Sequence, residues 1–295
     1  MKTRPIIHRL CVIGVGLIGG SLARALRQAG AVDQVVGCGR NMGNLQRAEE
    51  LGVVDHCTTD PARAVRGADM VVVCVPLGAM GPVFEQIRDH LSPEAVLTDG
   101  GSTKGSVIAD ARAAFGGTLP AGFVPGHPIA GTEKSGVEAS FARLYHNRRV
   151  ILTPVEESAE WAVARTQAMW EATGARVTCM SAAHHDDVLA ATSHLPHALA
   201  FGLVDTLSRW EGEREIFEYA AGGFRDFTRI ASSDPVMWRD ICLANREALL
   251  EAIERYMADL QQLREAVRHG DGERLEAVFS HAKATRDRFV AMLES

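Results

Sequence analysis

The sequence predicts an α/β domain over residues 1–180 followed by an all-α domain over residues 181–295. Three observations carry this. The apolar run Leu10-Cys11-Val12-Ile13 enters a glycine turn and then a helical pattern from Ser21 to Gln28. Strand-like and helix-like segments then alternate as far as Met180, which is the pattern of a parallel sheet covered by helices. Beyond Ser181 only helical periodicity remains.

The glycine turn reads Gly14-Val15-Gly16-Leu17-Ile18-Gly19. In a strand, turn and helix context it predicts a Rossmann-type dinucleotide-binding domain. Gly14 serves the tight turn, Gly16 lets the backbone approach a pyrophosphate, and Gly19 lets the helix pack close to the strand. The free N–H groups at the helix start, at Leu17 and Ile18, face the phosphate charge.

The second strand, Val35-Val36-Gly37-Cys38, ends where an NAD-binding fold places an acidic residue against the adenosine ribose. Here Gly39 and Arg40 stand at that place. With no carboxylate to repel a 2′-phosphate and a guanidinium beside it, NADP is acceptable and slightly favoured over NAD. A helix over 42–51, an edge strand within 53–58 and a continuous apolar strand over 69–76 follow. Val75 and Pro76, at the end of that strand, are expected to touch the cofactor.

Ala95 to Asp99 is the next strand, running into Gly100-Gly101-Ser102-Thr103-Lys104. Ser102 is read either as a hydroxyl pointing into the crevice or as a helix N-cap. Phe123-Val124-Pro125 then leads to Gly126-His127-Pro128-Ile129-Ala130-Gly131-Thr132-Glu133-Lys134-Ser135-Gly136. An imidazole suits proton acceptance near neutral pH, so His127 is the leading candidate for chemistry. A helix is expected from Gly136 to Tyr145, a strand at 150–153, a helix over 158–173 and a last strand at 175–180.

The helical half carries Ser193-His194-Leu195-Pro196-His197, with His194 and His197 on one helical face and Pro196 set to kink the helix. The nearby histidines and aspartates lack the further ligands of a metal site, so none is assigned. Asp234 and Pro235 open a long helix running to about Val267, whose apolar stripe wants a partner helix. Gly270 and Asp271 separate it from a final helix.

A formal charge of −6 and a pI near 6.0 argue against nucleic acid or an anionic membrane as partner and for a small metabolite. Six scattered cysteines without a C-x-x-C pair, and no apolar leader or 18-residue apolar run, point to a cytoplasmic enzyme.

Gly-His-Pro-Ile-Ala-Gly-Thr-Glu-Lys-Ser-Gly from Gly126, Ser-His-Leu-Pro-His from Ser193 and Gly-Gly-Phe-Arg-Asp-Phe-Thr-Arg-Ile-Ala from Gly222 together resemble the prephenate dehydrogenase family. The likeness runs from Val12 to about Trp238. It implies oxidative decarboxylation of prephenate to 4-hydroxyphenylpyruvate with hydride transfer to NAD(P), in tyrosine biosynthesis, with arogenate as the alternative substrate. By the same resemblance His127 is the catalytic histidine and Ser102 orients it. Arg229 binds a substrate carboxylate, and His197 and Ser193 line the pocket with Thr132. Arg225 pairs with Glu133 as a gate, Trp238 stands near the helical wall, and the helical domain builds a homodimer. Imine or 3-hydroxyacid reductases share the two-domain plan but would want a lysine or aspartate in the helical half. A nucleotide-sensing protein would need no proton acceptor.

Overall fold

The computed structural model describes residues 5–132 and 134–294. Strand and helix alternate first: β1 (Ile7–Ile13), α1 (Leu17–Gln28), β2 (Val32–Cys38), α2 (Met42–Glu50), β3 (His56–Thr58), α3 (Pro61–Ala64), β4 (Met70–Val73), α4 (Met80–Ile87), β5 (Val96–Asp99), α5 (Gly105–Ala114) and β6 (Phe123–Val124). These six strands form one parallel sheet in the order β3-β2-β1-β4-β5-β6. That order reverses direction between β1 and β4, and open α/β sheets bind ligands outside the carboxyl ends of the strands at such a switch point.

The two-residue period of β1 and β4 explains why both read as unbroken apolar runs. Leu10, Val12, Met70 and Val72 point into one buried layer with Leu22 and Leu26 of α1. Cys11, Ile13, Val71 and Val73 point into the other, with Phe84 and Phe123. A strand covered on both faces reads as a near-continuous apolar run.

The chain leaves this sheet at Pro125. Proline has no N–H to extend a ladder, and β6 accordingly stops at Val124. The next residues begin a second, three-stranded sheet, β7 (Gly126–Pro128), β8 (Arg149–Leu152) and β9 (Arg176–Cys179), with α6 (Glu160–Ala172) between the last two. β7 lies antiparallel to β8, opposing His127 to Ile151. His127 therefore sits within a short strand rather than in a loop.

The helix expected from Gly136 to Tyr145 is a single 3-10 turn, Val137–Ala139. Ser140 takes an extended conformation, its hydroxyl accepts from Arg24 Nε at 2.9 Å, and Phe141 N donates to Ser21 Oγ at 3.0 Å. Side-chain bonds of this kind compete with the helical ladder.

Helices follow without strands: α7 (Ala182–Leu189), a π-turn at Ala190–His194, α8 (Leu195–Ser208), α9 (Glu213–Glu218), α10 (Gly222–Thr228), a 3-10 turn at Arg229–Ser232, α11 (Pro235–Ala244), α12 (Arg246–His269) and α13 (Gly272–Glu294). Pro196 occupies the first turn of α8, directly after the π-turn. The long helix expected from Pro235 to Val267 is broken at Asn245, which has φ −111° and ψ 37°. The break goes with a contact distant in sequence: Asn245 is 5% exposed, and its amide is used inward, as described below. One compact unit runs to Arg246 and a second begins at Glu247. Within the second unit Asp271 caps α13, accepting from Arg274 N at 3.0 Å. Leu250, Met257, Leu260, Val267 and Phe279 are exposed there.

Candidate active site

The glycine turn has the geometry its spacing requires. Gly14 has φ +98°, and a Cβ on it would stand 2.3 Å from Cys74 O. A Cβ on Gly19 would meet Gly14 O at 2.4 Å and Val12 Cγ1 at 2.6 Å. Around Gly16 a Cβ would have nothing within 4 Å. The backbone there faces open space, and α1 starts with no side-chain cap on its first-turn N–H groups. An open backbone and uncapped donors suit a pyrophosphate. Tyr145, fully buried, donates its hydroxyl to Ile18 O at 2.6 Å and so holds this turn.

Cys74 continues β4 through its N–H to Ile13 O. Val75 is half-buried and Pro76 exposed. Gly100, after β5, brings the pieces together: a Cβ on it would contact Ile18 Cγ2 at 3.3 Å, Cys74 Sγ at 3.4 Å and Pro128 Cδ at 3.8 Å. The glycine turn, the end of β4 and the residue after His127 thus meet at one point.

Beneath His127 lies a fully buried ion pair. Lys104 Nζ donates to Asp99 Oδ2 and to Gly126 O at 2.6 Å. Asp99 also accepts from Gly101 N at 2.7 Å and from Gly126 N at 3.0 Å. Both groups of Gly126 are therefore held from below. Burial pulls the Lys104 ammonium below its ordinary pKa, and Asp99 opposes that.

His127, half-buried, has its Nδ1 2.9 Å from His185 Nε2. His185 Nδ1 is in turn 2.7 Å from Asp186 Oδ1. Asp186 also accepts from Lys104 N and Gly105 N, each at 2.8 Å. Burial first, then the neighbouring His185, Lys104 and His194, hold the His127 pKa well below 6.5. It is neutral at physiological pH and ready to accept a proton.

The helical residues converge on the same side. Asn245 Nδ2 donates to Asp186 O at 2.8 Å and to His194 Nδ1 at 3.0 Å. Trp238 stacks on His197 with ring centroids 3.6 Å apart and meets His194 edge-on at 6.1 Å. His197 Nδ1 donates to Ser193 O at 2.8 Å. Its pKa is lowered by burial, with the Arg229 charge acting in the same direction. Arg229 itself is exposed, as are Arg225, Thr132 and Arg40.

Among the described residues Ser102 makes no hydrogen bond to His127 and does not cap α5, which starts without a side-chain cap. His185 holds the Nδ1 side of His127. The Arg225 pairing lies outside the described residues, because Glu133 does. Sequence reasoning had His185 and Asp186 only as part of a loose cluster, and Asn245 and the Asp99–Lys104 pair not at all.

The depressed imidazoles set an acid limit on stability. His194, 1% exposed, is brought to about 4 mainly by burial. Its folded pKa lies below the unfolded value near 6.5, so the unfolded chain binds more protons between pH 6.5 and 4. Stability is full above that window and falls as pH falls through it, by about 2 kcal/mol at pH 5 from His194 alone. Thermal unfolding should show a midpoint several degrees lower at pH 5 than at pH 7, and a smaller drop in His194→Gln.

A doubly wound parallel sheet, a glycine turn open to a pyrophosphate and a neutral histidine at their junction define an NAD(P)-dependent dehydrogenase. Residues 22–179 match the family model for the prephenate dehydrogenase nucleotide-binding domain, and residues 181–281 that for its dimerization domain. The chain belongs to the prephenate dehydrogenase family. It is 40% identical to the cyclohexadienyl dehydrogenase of Zymomonas mobilis, over 95% of this chain and 96% of that one. It is 34% identical to the prephenate dehydrogenase of Bacillus subtilis, over 94% and 75%. The crystal structure of prephenate dehydrogenase from A. aeolicus with hydroxyphenyl propionate and NAD+ superposes with a TM-score of 0.89 at 38% identity, covering 96% of this chain and 98% of that one. Among the described residues no helix is long and apolar enough to cross a membrane.

Proposed function

We propose that the chain oxidises and decarboxylates prephenate to 4-hydroxyphenylpyruvate and carbon dioxide, with arogenate as the alternative substrate. The observation that carries this reading is the neutral His127 held beside the glycine turn. NAD(P)+, when bound, accepts hydride from the ring carbon that bears the hydroxyl. His127 takes the hydroxyl proton as that carbon becomes a carbonyl. Electrons from the breaking bond to the ring carboxylate then restore aromaticity, carbon dioxide leaves, and the ring oxygen recovers its proton from His127. Ser102 is proposed to orient the substrate hydroxyl at the free side of His127. The hydroxyphenyl propionate bound by the A. aeolicus relative is a phenolic acid like the expected product, which supports this assignment.

Prephenate is a dianion and needs cations. Arg229, close enough to His197 to influence its protonation, is assigned a substrate carboxylate. Ser193, His197 and Thr132 are assigned to the pocket, and Arg225 with Glu133 to its entrance. Arg229→Ala should raise KM for prephenate at least about tenfold, the value of a charge-assisted contact, with kcat changed less. A loss confined to kcat would contradict the carboxylate assignment.

Gly14, Gly16, Leu17, Ile18, Gly19, Val75 and Pro76 are assigned to the cofactor. Gly39 offers no carboxylate to the ribose, and the Arg40 guanidinium beside it is exposed. These two features favour acceptance of NADP as well as NAD. We assign the enzyme to the cytoplasm as a homodimer built by the helical half beyond residue 180. Steady-state turnover of prephenate and of arogenate with each cofactor tests the reading. Prephenate turnover with at least one cofactor is expected; turnover of neither substrate would remove it.

A further inference from the structure

The Asp186, His185 and His127 side chains form an unbroken hydrogen-bonded line: carboxylate to imidazole at 2.7 Å, imidazole to imidazole at 2.9 Å. For an uncharged His185, the direction of each proton in that line follows from the carboxylate at its end. A carboxylate only accepts. Asp186 is held as a carboxylate, its pKa lowered by His185 and by the Lys104 and Gly105 N–H groups against the opposing effect of burial. The His185 nitrogen facing it, Nδ1, must therefore carry the hydrogen. In a neutral imidazole the other nitrogen then has only a lone pair, so His185 Nε2 accepts. The His127 atom facing it, Nδ1, must donate. That leaves His127 Nε2 bare.

We propose that His185 and Asp186 are positioning residues that fix the tautomer of His127, so that Nε2 is the nitrogen free to take a proton. The inference rests on the assignment of His127 as proton acceptor in the proposed reaction. The line is built rather than incidental. His185 is fully buried, and Asp186 is anchored by two backbone donors at the start of α5. Asn245 Nδ2 holds the Asp186 carbonyl in place. Loop, helical half and β7 are thus tied together through one carboxylate.

Chemically, the line does two things. The substrate hydroxyl proton passes to Nε2, while the hydrogen on Nδ1 stays in its bond to His185. The positive charge gained by His127 then faces the Asp186 carboxylate across one neutral ring. An imidazole left alone in water favours the tautomer with hydrogen on Nε2, which could not act as acceptor at that atom. A carboxylate that holds a catalytic imidazole in its working tautomer is a general device, and losing it costs orders of magnitude in kcat.

The alternative is that Asp186 only anchors the start of α5 and His185 only packs edge-on against His127, at 5.1 Å between centroids. Nuclear magnetic resonance of the full-length free protein with 15N-labelled histidine separates the two at pH 8. The His127 signals are assigned by their loss in His127→Asn. The proposal expects Nδ1 protonated and Nε2 unprotonated. An Nε2-protonated His127 in the unaltered protein would overturn it. His185→Phe, which keeps a ring but removes the acceptor, should shift His127 toward the Nε2–H form. It should lower kcat at least about tenfold with KM within a few-fold. His185→Gln, whose amide oxygen can accept from Nδ1, should recover part of kcat. Unchanged tautomer and kcat in His185→Phe would also overturn the proposal. Should that variant not fold, the spectrum of the unaltered protein decides. Because that spectrum needs no substrate, its outcome is independent of whether prephenate is turned over.

Discussion

His127→Asn is expected to lower kcat for prephenate by on the order of a hundredfold or more, leaving KM within a few-fold. Asparagine keeps a donor for His185 Nε2, and β7 keeps its backbone pairing with β8. The fold and the pocket shape should therefore survive. What is lost is a nitrogen of suitable basicity: an amide cannot take a proton near neutral pH. A hundredfold loss corresponds to about 2.7 kcal/mol of transition-state stabilisation. Steady-state kinetics with unfolding curves as control measure it. Unchanged kcat would remove His127 from the chemistry, and a large rise in KM alone would recast it as a binding residue.

Lys104→Met should produce the largest loss of stability of any single change near the site. Methionine fills a similar volume, so little of the effect comes from a cavity. The damage is electrostatic. Asp99, fully buried, would retain the N–H groups of Gly101 and Gly126 but lose the Lys104 countercharge. Gly126 O would lose a donor at 2.6 Å. Removing one partner of a buried pair typically destabilises by about 3–5 kcal/mol, against a total stability of about 5–15 kcal/mol. Denaturant unfolding should show that fall, and Asp99→Asn in the same chain should recover much of it, because no unpaired charge remains. A loss under about 1 kcal/mol would mean the pair is not the support described. Loss of activity is expected too, since the same ammonium holds the strand that carries His127.

The parts of this molecule readable from sequence are those governed by local rules. The glycine turn at Gly14–Gly19 is local, and its required φ and close contacts are set within a few residues or by the adjacent strand. β1 and β4 read as strands because each is covered on both faces. His127 stood out because glycine and proline isolate it. The remainder depends on contacts distant in sequence. Asp186 meets Lys104 N across 82 positions, and Asn245 meets Asp186 across 59. No spacing rule reaches so far. Asn245 also explains the missed helix break, because apolar periodicity carries through it while its amide is drawn inward. The only sequence signal for the Asp99–Lys104 pair was an acid and a lysine five residues apart flanking a glycine loop behind a buried strand. Lysine is rarely fully buried, so that signal reads as surface. For Ser102 only the resemblance supplied a role, and the Nδ1 side of His127 is held by His185.

A neutral imidazole beside the cofactor turn is the centre of this account, and the pH dependence of kcat/KM for prephenate tests it most directly. That profile reports ionisations of the free enzyme. With the His127 pKa held well below 6.5 by burial, kcat/KM should stay level through neutral pH and fall only on the acid side of 6.5. An acid limb centred above pH 7 would contradict the account.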